Sequence, residues 1–192
     1  MARLGGMALR NAILATLLEG ESSGYDLAKV FDSSVANFWT ATPQQLYREL
    51  DRMEGQGLVA ARVVEQERRP NKRLFSITEA GRAALAEFTA RAPKPTAVRD
   101  ELLVQVQAVE HGDAAAVREA VRKKQSVAER KLKRYERLRD HLLAGRTEAD
   151  YLAAAGRVGH YLTLARGIAF EQENIRWCEY VLGVLAQRDP TS

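Results

Sequence analysis

Gln44, Gln45 and Arg48 lie within five residues of one another in a segment that reads as a helix, and all three carry side chains that fit the edges of bases. Glutamine can bond bidentately to adenine and arginine to guanine, so the set suits reading of duplex DNA through the major groove. Tyr47 and Arg52 sit beside it with groups that can hold phosphate. A second cluster, Arg68, Arg69, Lys72 and Arg73, surrounds Pro70 and Asn71. Four cations around a tight turn suit a neighbouring phosphate or the minor groove. Ser23, Tyr25 and Asn11 could add contacts to the DNA backbone from flanking segments.

Other reactive residue types form no comparable set. Tyr151, His160, Tyr161 and Trp177 fall late in the chain and could line a cavity for a small aromatic effector, although core packing is the more frequent role of such residues. Cys178 is the single cysteine, with no cationic motif beside it to activate the thiol, so it reads as a small buried residue. His111, His141 and His160 are too scattered for a metal site. The sequence holds no glycine-rich phosphate loop and no Gly-x-Ser-x-Gly elbow. No catalytic residue, metal or cofactor is therefore expected, and the chain does not read as an enzyme.

The elements that must position these residues are legible in order. Met1–Gly6 has no apolar period and reads as a mobile arm. Leu9, Ala12, Ile13, Thr16 and Leu17 repeat at helical spacing, and Gly20 supplies a stop. Ser22 and Ser23 can cap a second helix running from about Gly24 to Val35. Thr42 followed by Pro43 starts a third, to about Glu54, with Leu46, Leu50 and Met53 on one side and the polar set on others. Two short strands, Leu58–Val64 and Arg73–Ile77, flank the basic turn, and Thr78 opens a fourth helix to about Arg91. Three helices, a two-stranded hairpin with a basic tip and a return helix are the order of a winged helix-turn-helix.

Pro93 and Pro95 mark a linker, dividing the chain into a domain at 1–92 and another at 99–192. The second is helical throughout. After a short helix from Asp100 to Val109, a pattern over 114–143 spaces Val121, Ala128, Tyr135 and Leu142 by heptads, which reads as a seam seeking a partner helix. A pattern over 147–187 carries an apolar stripe that includes Tyr161, Ile168, Ile175 and Leu182. Joined at Gly145, the two predict an antiparallel hairpin. Its wide stripe predicts burial against a second subunit, and hence a homodimer. Residues 118–139 hold ten Lys or Arg against three acids, read here as the exposed flanks of that helix rather than a second DNA site.

The N-terminal half resembles the PadR family of winged-helix regulators. The likeness rests on Ser23-Gly24-Tyr25-Asp26-Leu27, Phe38-Trp39, Leu46-Tyr47-Arg48-Glu49-Leu50, Gly57-Leu58-Val59 and the run Arg73 to Gly81. The C-terminal half, from Arg99-Asp100-Glu101-Leu102-Leu103, is similar to the helical dimerisation region of the longer members. The resemblance implies a homodimeric repressor on promoter operator DNA, with release by a small aromatic molecule in some members. Gln44 and Gln45 depart from the small residues common early in that helix, which implies an operator preference of its own.

Whole-chain properties agree. A chain of 192 residues with 46% hydrophobic residues can bury a core without staples, and a formal charge of +4 fits a nucleic-acid partner without demanding one. One cysteine and no membrane-spanning or targeting segment point to the cytoplasm and exclude a membrane role. Two rival readings remain. A winged-helix module could serve protein assembly instead of DNA. A MarR-like regulator would place its dimerising helices on both sides of the wing domain, whereas here they lie almost wholly after residue 100.

Overall fold

The computed structural model describes residues 2–31, 41–65, 71–93, 95 and 99–188, with side chains from Leu9 onward. The chain divides into two compact units, Met1–Pro95 and Thr96–Ser192.

The first unit is built from α1 (Ala2–Leu17), β1 (Ser22–Ser23), α2 (Gly24–Val30), α3 (Pro43–Gly55), β2 (Val59–Val64), β3 (Lys72–Ile77) and α4 (Glu79–Thr89). Two points differ from the expectation. The hairpin is part of a three-stranded antiparallel sheet ordered β1-β3-β2, in which Ser22 and Ser23 pair with Phe75 and Leu74. The segment Met1–Gly6, expected as a mobile arm, carries α1 back to Ala2. No proline interrupts it, and each glycine there costs a helix only about 1 kcal/mol. The second helix, expected to reach Val35, is described to Val30; residues 32–40, with Phe38 and Trp39, lie outside the described residues.

Each helix start has an identifiable cause. Thr42 and Gln45 form a capping box on α3: the Gln45 amide donates to the Thr42 hydroxyl oxygen at 3.2 Å, and the Thr42 amide donates to Gln45 Oε1 at 2.9 Å. Pro43 occupies the first helical turn. Ser23 caps α2 and Thr78 caps α4 through hydroxyl oxygens that accept from the Asp26 and Gly81 amides. The core gathers Leu9, Ile13, Leu14 and Leu17 of α1, Leu27 and Phe31 of the second helical segment, Leu46, Leu50 and Met53 of α3, and Val59, Phe75 and Leu85. Each fully buried aliphatic side chain there contributes about 1.5–3 kcal/mol. Gly81 lets α4 lie against the sheet, because a Cβ at that position would stand 2.2 Å from the carbonyl oxygen of Leu58.

The second unit holds α5 (Glu101–Gln107), a single 3-10 turn (Val109–His111), α6 (Ala114–Leu143), α7 (Glu148–Ala154) and α8 (Gly159–Gln187). The run expected to form one helix over 147–187 is broken at Ala155–Val158, where Ala155 turns extended and Gly156 follows. The hairpin is nonetheless antiparallel. Val117 and Val121 near the start of α6 pack with Cys178, Val181 and Leu185 near the end of α8, and Tyr135 packs with Leu164 and Ile168. Val121, Ala128 and Tyr135 are thereby at most 2% exposed within a single chain. The heptad seam read as seeking a partner helix is satisfied by α8 of the same chain, a correction with a simple cause: periodicity shows that a stripe will be covered, not by what.

Candidate nucleic-acid interface

Helix α3 presents two sharply different sides. Leu46, Leu50 and Met53 are at most 1% exposed, while Gln44, Gln45, Tyr47, Arg48, Asp51 and Arg52 are exposed. Gln44, Arg48 and Asp51 follow one another at intervals of four and three and so share a face. Arg48 and Gln44 have no hydrogen-bond or ion-pair partner among the described residues. Gln45 is different: its side-chain carbonyl already accepts from the Thr42 amide at 2.9 Å, which holds the side chain over the helix start with one acceptor lone pair and the NH2 left to offer. Arg52 lies against the carboxylate of Glu49, itself only 8% exposed.

Tyr47, weighed as a possible core residue, is 45% exposed. Its ring rests on the first residue of α2. A Cβ on Gly24 would fall 2.2 Å from Tyr47 Cε1, so the bare backbone of Gly24 is what admits the ring. Tyr25 is 62% exposed, with the Lys29 ammonium 4.4 Å from its ring centroid. Ser23 is 5% exposed, and its hydroxyl both caps α2 and donates to Asp26 Oδ2 at 2.7 Å. Asn11, read as a further backbone contact, is 5% exposed on α1.

The basic cluster around the hairpin turn separates into two parts. Arg68 and Arg69 lie outside the described residues. Lys72 and Arg73 are ion-paired at the surface: Lys72 Nζ is 2.8 Å from Asp26 Oδ2, and the Arg73 guanidinium meets Asp51 Oδ1 at 3.0 Å and Glu54 Oε2 at 2.5 Å. The Lys72 hydrogen bond, then that from Ser23, holds the Asp26 carboxyl below its ordinary value. Asp51 is the first cause of an upward shift on Arg73. A third tie, Arg62 on β2 with Glu21 before β1, spans forty-one residues and went unread in the sequence. Such pairs carry no periodicity; only the sheet register brings them together.

The four aromatic-site candidates in the second unit also separate. The rings of Tyr151 and Tyr161 lie 5.2 Å apart between centroids, with the Arg146 guanidinium 5.0 Å from the Tyr151 centroid. Tyr161 is 2% exposed, and burial first, then Glu148, pushes its hydroxyl pKa upward. His160 precedes it, with Nε2 buried and unpartnered among the described residues. Trp177 stands sixteen residues further along α8, about 24 Å at 1.5 Å per residue. It packs with the cluster of Val117, Val121 and Cys178, near Lys124. No one site holds all four.

In the basic run of α6, Lys124 bonds Asp100, Lys131 pairs with Glu171, and Arg118 donates to the carbonyl of Leu185. Among the described residues no three of His, Cys, Asp and Glu are grouped to hold a metal, and no helix is long and apolar enough to cross a membrane.

Residues 13–87 match the model of the transcriptional regulator PadR-like family, and residues 98–186 match that described as virulence activator alpha C-term. The chain is 37% identical to Rv1176c, a probable transcriptional regulator of Mycobacterium tuberculosis, over 95% of this chain and 100% of that one. It is 26% identical to the negative transcriptional regulator PadR of Bacillus subtilis, over 92% and 97%. The crystal structure of Bacillus subtilis PadR in complex with operator DNA superposes with a TM-score of 0.74 at 25% identity, covering 93% of this chain and 99% of that one.

Proposed function

The chain belongs to the PadR-like family of transcriptional regulators, and from that premise we propose that it is a homodimeric repressor that grips promoter operator DNA through its first unit. One observation carries the proposal: α3 exposes Gln44, Tyr47 and Arg48 on a helix whose opposite side is locked in the core. Arg48 and Gln44, unpartnered within the described residues, are free to meet guanine and adenine edges, with Gln45 adding a donor. Tyr47 and Tyr25 flank them toward phosphate, and Arg68 and Arg69 are assigned to the wing contact. Ser23, occupied in capping, supports α2 instead of touching DNA directly. Repression follows the Bacillus relative, named as a negative regulator; a bound dimer would exclude polymerase from the promoter, in the cytoplasm.

The second unit is read as the dimerisation domain. On α8, Leu162, Phe170, Tyr180 and Val184 recur on one side, and Leu162, Phe170 and Tyr180 remain 54, 44 and 71% exposed. A stripe of that size on one helix calls for a second copy. An aromatic effector would stack at Tyr151 beside Tyr161 and His160; Trp177 takes no part in that site.

The test is fluorescence anisotropy with a labelled duplex from the promoter of the protein's own gene, against a scrambled duplex, over a salt series. Preference for the promoter duplex is expected, and Arg48→Ala should reduce that preference by about 1–3 kcal/mol. Equal affinity for both duplexes at every salt concentration would overturn the reading and favour the assembly module.

A further inference from the structure

Lys72 and Arg73 are adjacent on β3 and therefore project to opposite faces of the strand. One reaches α2 through Asp26, the other reaches α3 through Asp51 and Glu54. We propose that Arg73 is a positioning residue for DNA reading: it fixes the end of α3 on the base of the hairpin and neutralises Asp51 on the reading face. This rests on the assignment of α3 as the reading helix.

Three features of the site support it. The Arg73 guanidinium lies 5.0 Å from the ring centroid of Phe75, a core residue only 2% exposed, so the fork has a fixed aromatic neighbour as well as its two carboxylates. A planar fork held at both ends keeps its geometry better than a flexible surface pair. Asp51 shares its helix face with Gln44 and Arg48, so a bare carboxylate there would oppose the approach of phosphates. The bonds that hold Arg73 on Asp51 and Glu54 also withhold it from DNA. Isolated exposed pairs add little to global stability, so the effect belongs to the placement of α3 and not to the melting point.

The test compares wild type, Arg73→Gln, Asp51→Asn/Glu54→Gln and the triple variant on a duplex that the wild-type protein selects from a random pool, and on a random duplex, over a salt series. Each of the first two variants is expected to lower the ratio of selected to random affinity by about fivefold, within the range for coupled groups, and the triple variant no further. The salt slope of Arg73→Gln stays at the wild-type value. If Arg73 instead holds a phosphate, that variant loses about 0.9 of salt slope and leaves the ratio of selected to random affinity unchanged; that result overturns the proposal. Hydrogen exchange without DNA reports the clamp separately from DNA reading. Amides of 48–55 and 72–77 exchange faster in both variants, with no further change in the triple, if the clamp exists, even should the wild type select no duplex and the DNA reading fall. Unchanged exchange overturns the clamp whatever the DNA result.

Discussion

Gly24→Ala is the sharpest test of how α2 seats α3. Gly24 has no left-handed backbone requirement, so space alone demands glycine: the added methyl would lie 2.2, 2.9 and 3.0 Å from Tyr47 Cε1, Cδ1 and Cζ. The ring is 45% exposed and can swing outward, so the fold survives. A tyrosine buried to this degree covers roughly 100 Å² of largely apolar surface, about 2.5 kcal/mol at 25 cal/mol per Å². Losing much of that contact, against a helix-propensity gain for alanine of up to about 1 kcal/mol, leaves a net destabilisation of about 1–2 kcal/mol. In a Tyr47→Ala background the obstacle is gone, and the same substitution becomes neutral or stabilising. The coupling is therefore about 2 kcal/mol. Hydrogen exchange followed by peptides across 9–31 and 43–64 reads the opening free energy of the first unit separately from the second. Equal effects of Gly24→Ala in the two backgrounds would refute the reasoning.

Gly81→Ala is expected to be harsher, about 3 kcal/mol, because the neighbour 2.2 Å from the new methyl is the backbone carbonyl of Leu58, which cannot rotate away; urea unfolding of the first unit checks it. Asp26 and Asp100 are both held below their ordinary values, first by hydrogen bonds from Lys72 and Lys124. Their contributions are thus complete above the unfolded-state value of about 3.9 and fade as pH falls through the lower folded-state values. Urea midpoints should be flat from pH 7 to 5 and drop below about pH 4, and Asp26→Asn or Asp100→Asn should flatten that drop in its own unit. Cys178 is wholly buried, and burial first raises its thiol pKa. A thiol reagent at pH 8 should label it no faster than the second unit opens; immediate labelling would contradict its placement.

Much of the fold could be read because it is local. The capped start of α3 at Thr42-Pro43, the limits of α6 and the strands at either side of the basic turn all follow from neighbouring residues. What escaped depends on distance along the chain. Ser22 and Ser23 are too few to show alternation, and their strand exists only because β3 lies beside them. The acids that pair with Lys72 and Arg73 stand on α2 and α3, as much as forty-six residues away, and no local pattern links them. The stripe of α8 hid its break because apolar spacing resumes beyond Gly156. Of the candidate site, the exposed set on α3 could be read; which of its members were already engaged could not.

Between the two apolar clusters of the α6–α8 hairpin sits Glu171, 2% exposed, with Lys131 3.3 Å away and the Asn174 side-chain amide donating to it at 3.0 Å. This polar peg makes the hairpin intolerant of changes in length. One residue inserted into α6 between Ala128 and Tyr135 would turn everything beyond it by about 100° and swing Tyr135 out of the seam. Seven residues would restore the angle yet slide Lys131 along the seam from Glu171, stranding a carboxylate among leucines. Insertions and deletions accepted in the descent of such chains should therefore gather at 144–147 and 155–158, where the backbone is already irregular, and leave the paired spans 117–142 and 161–185 at constant length.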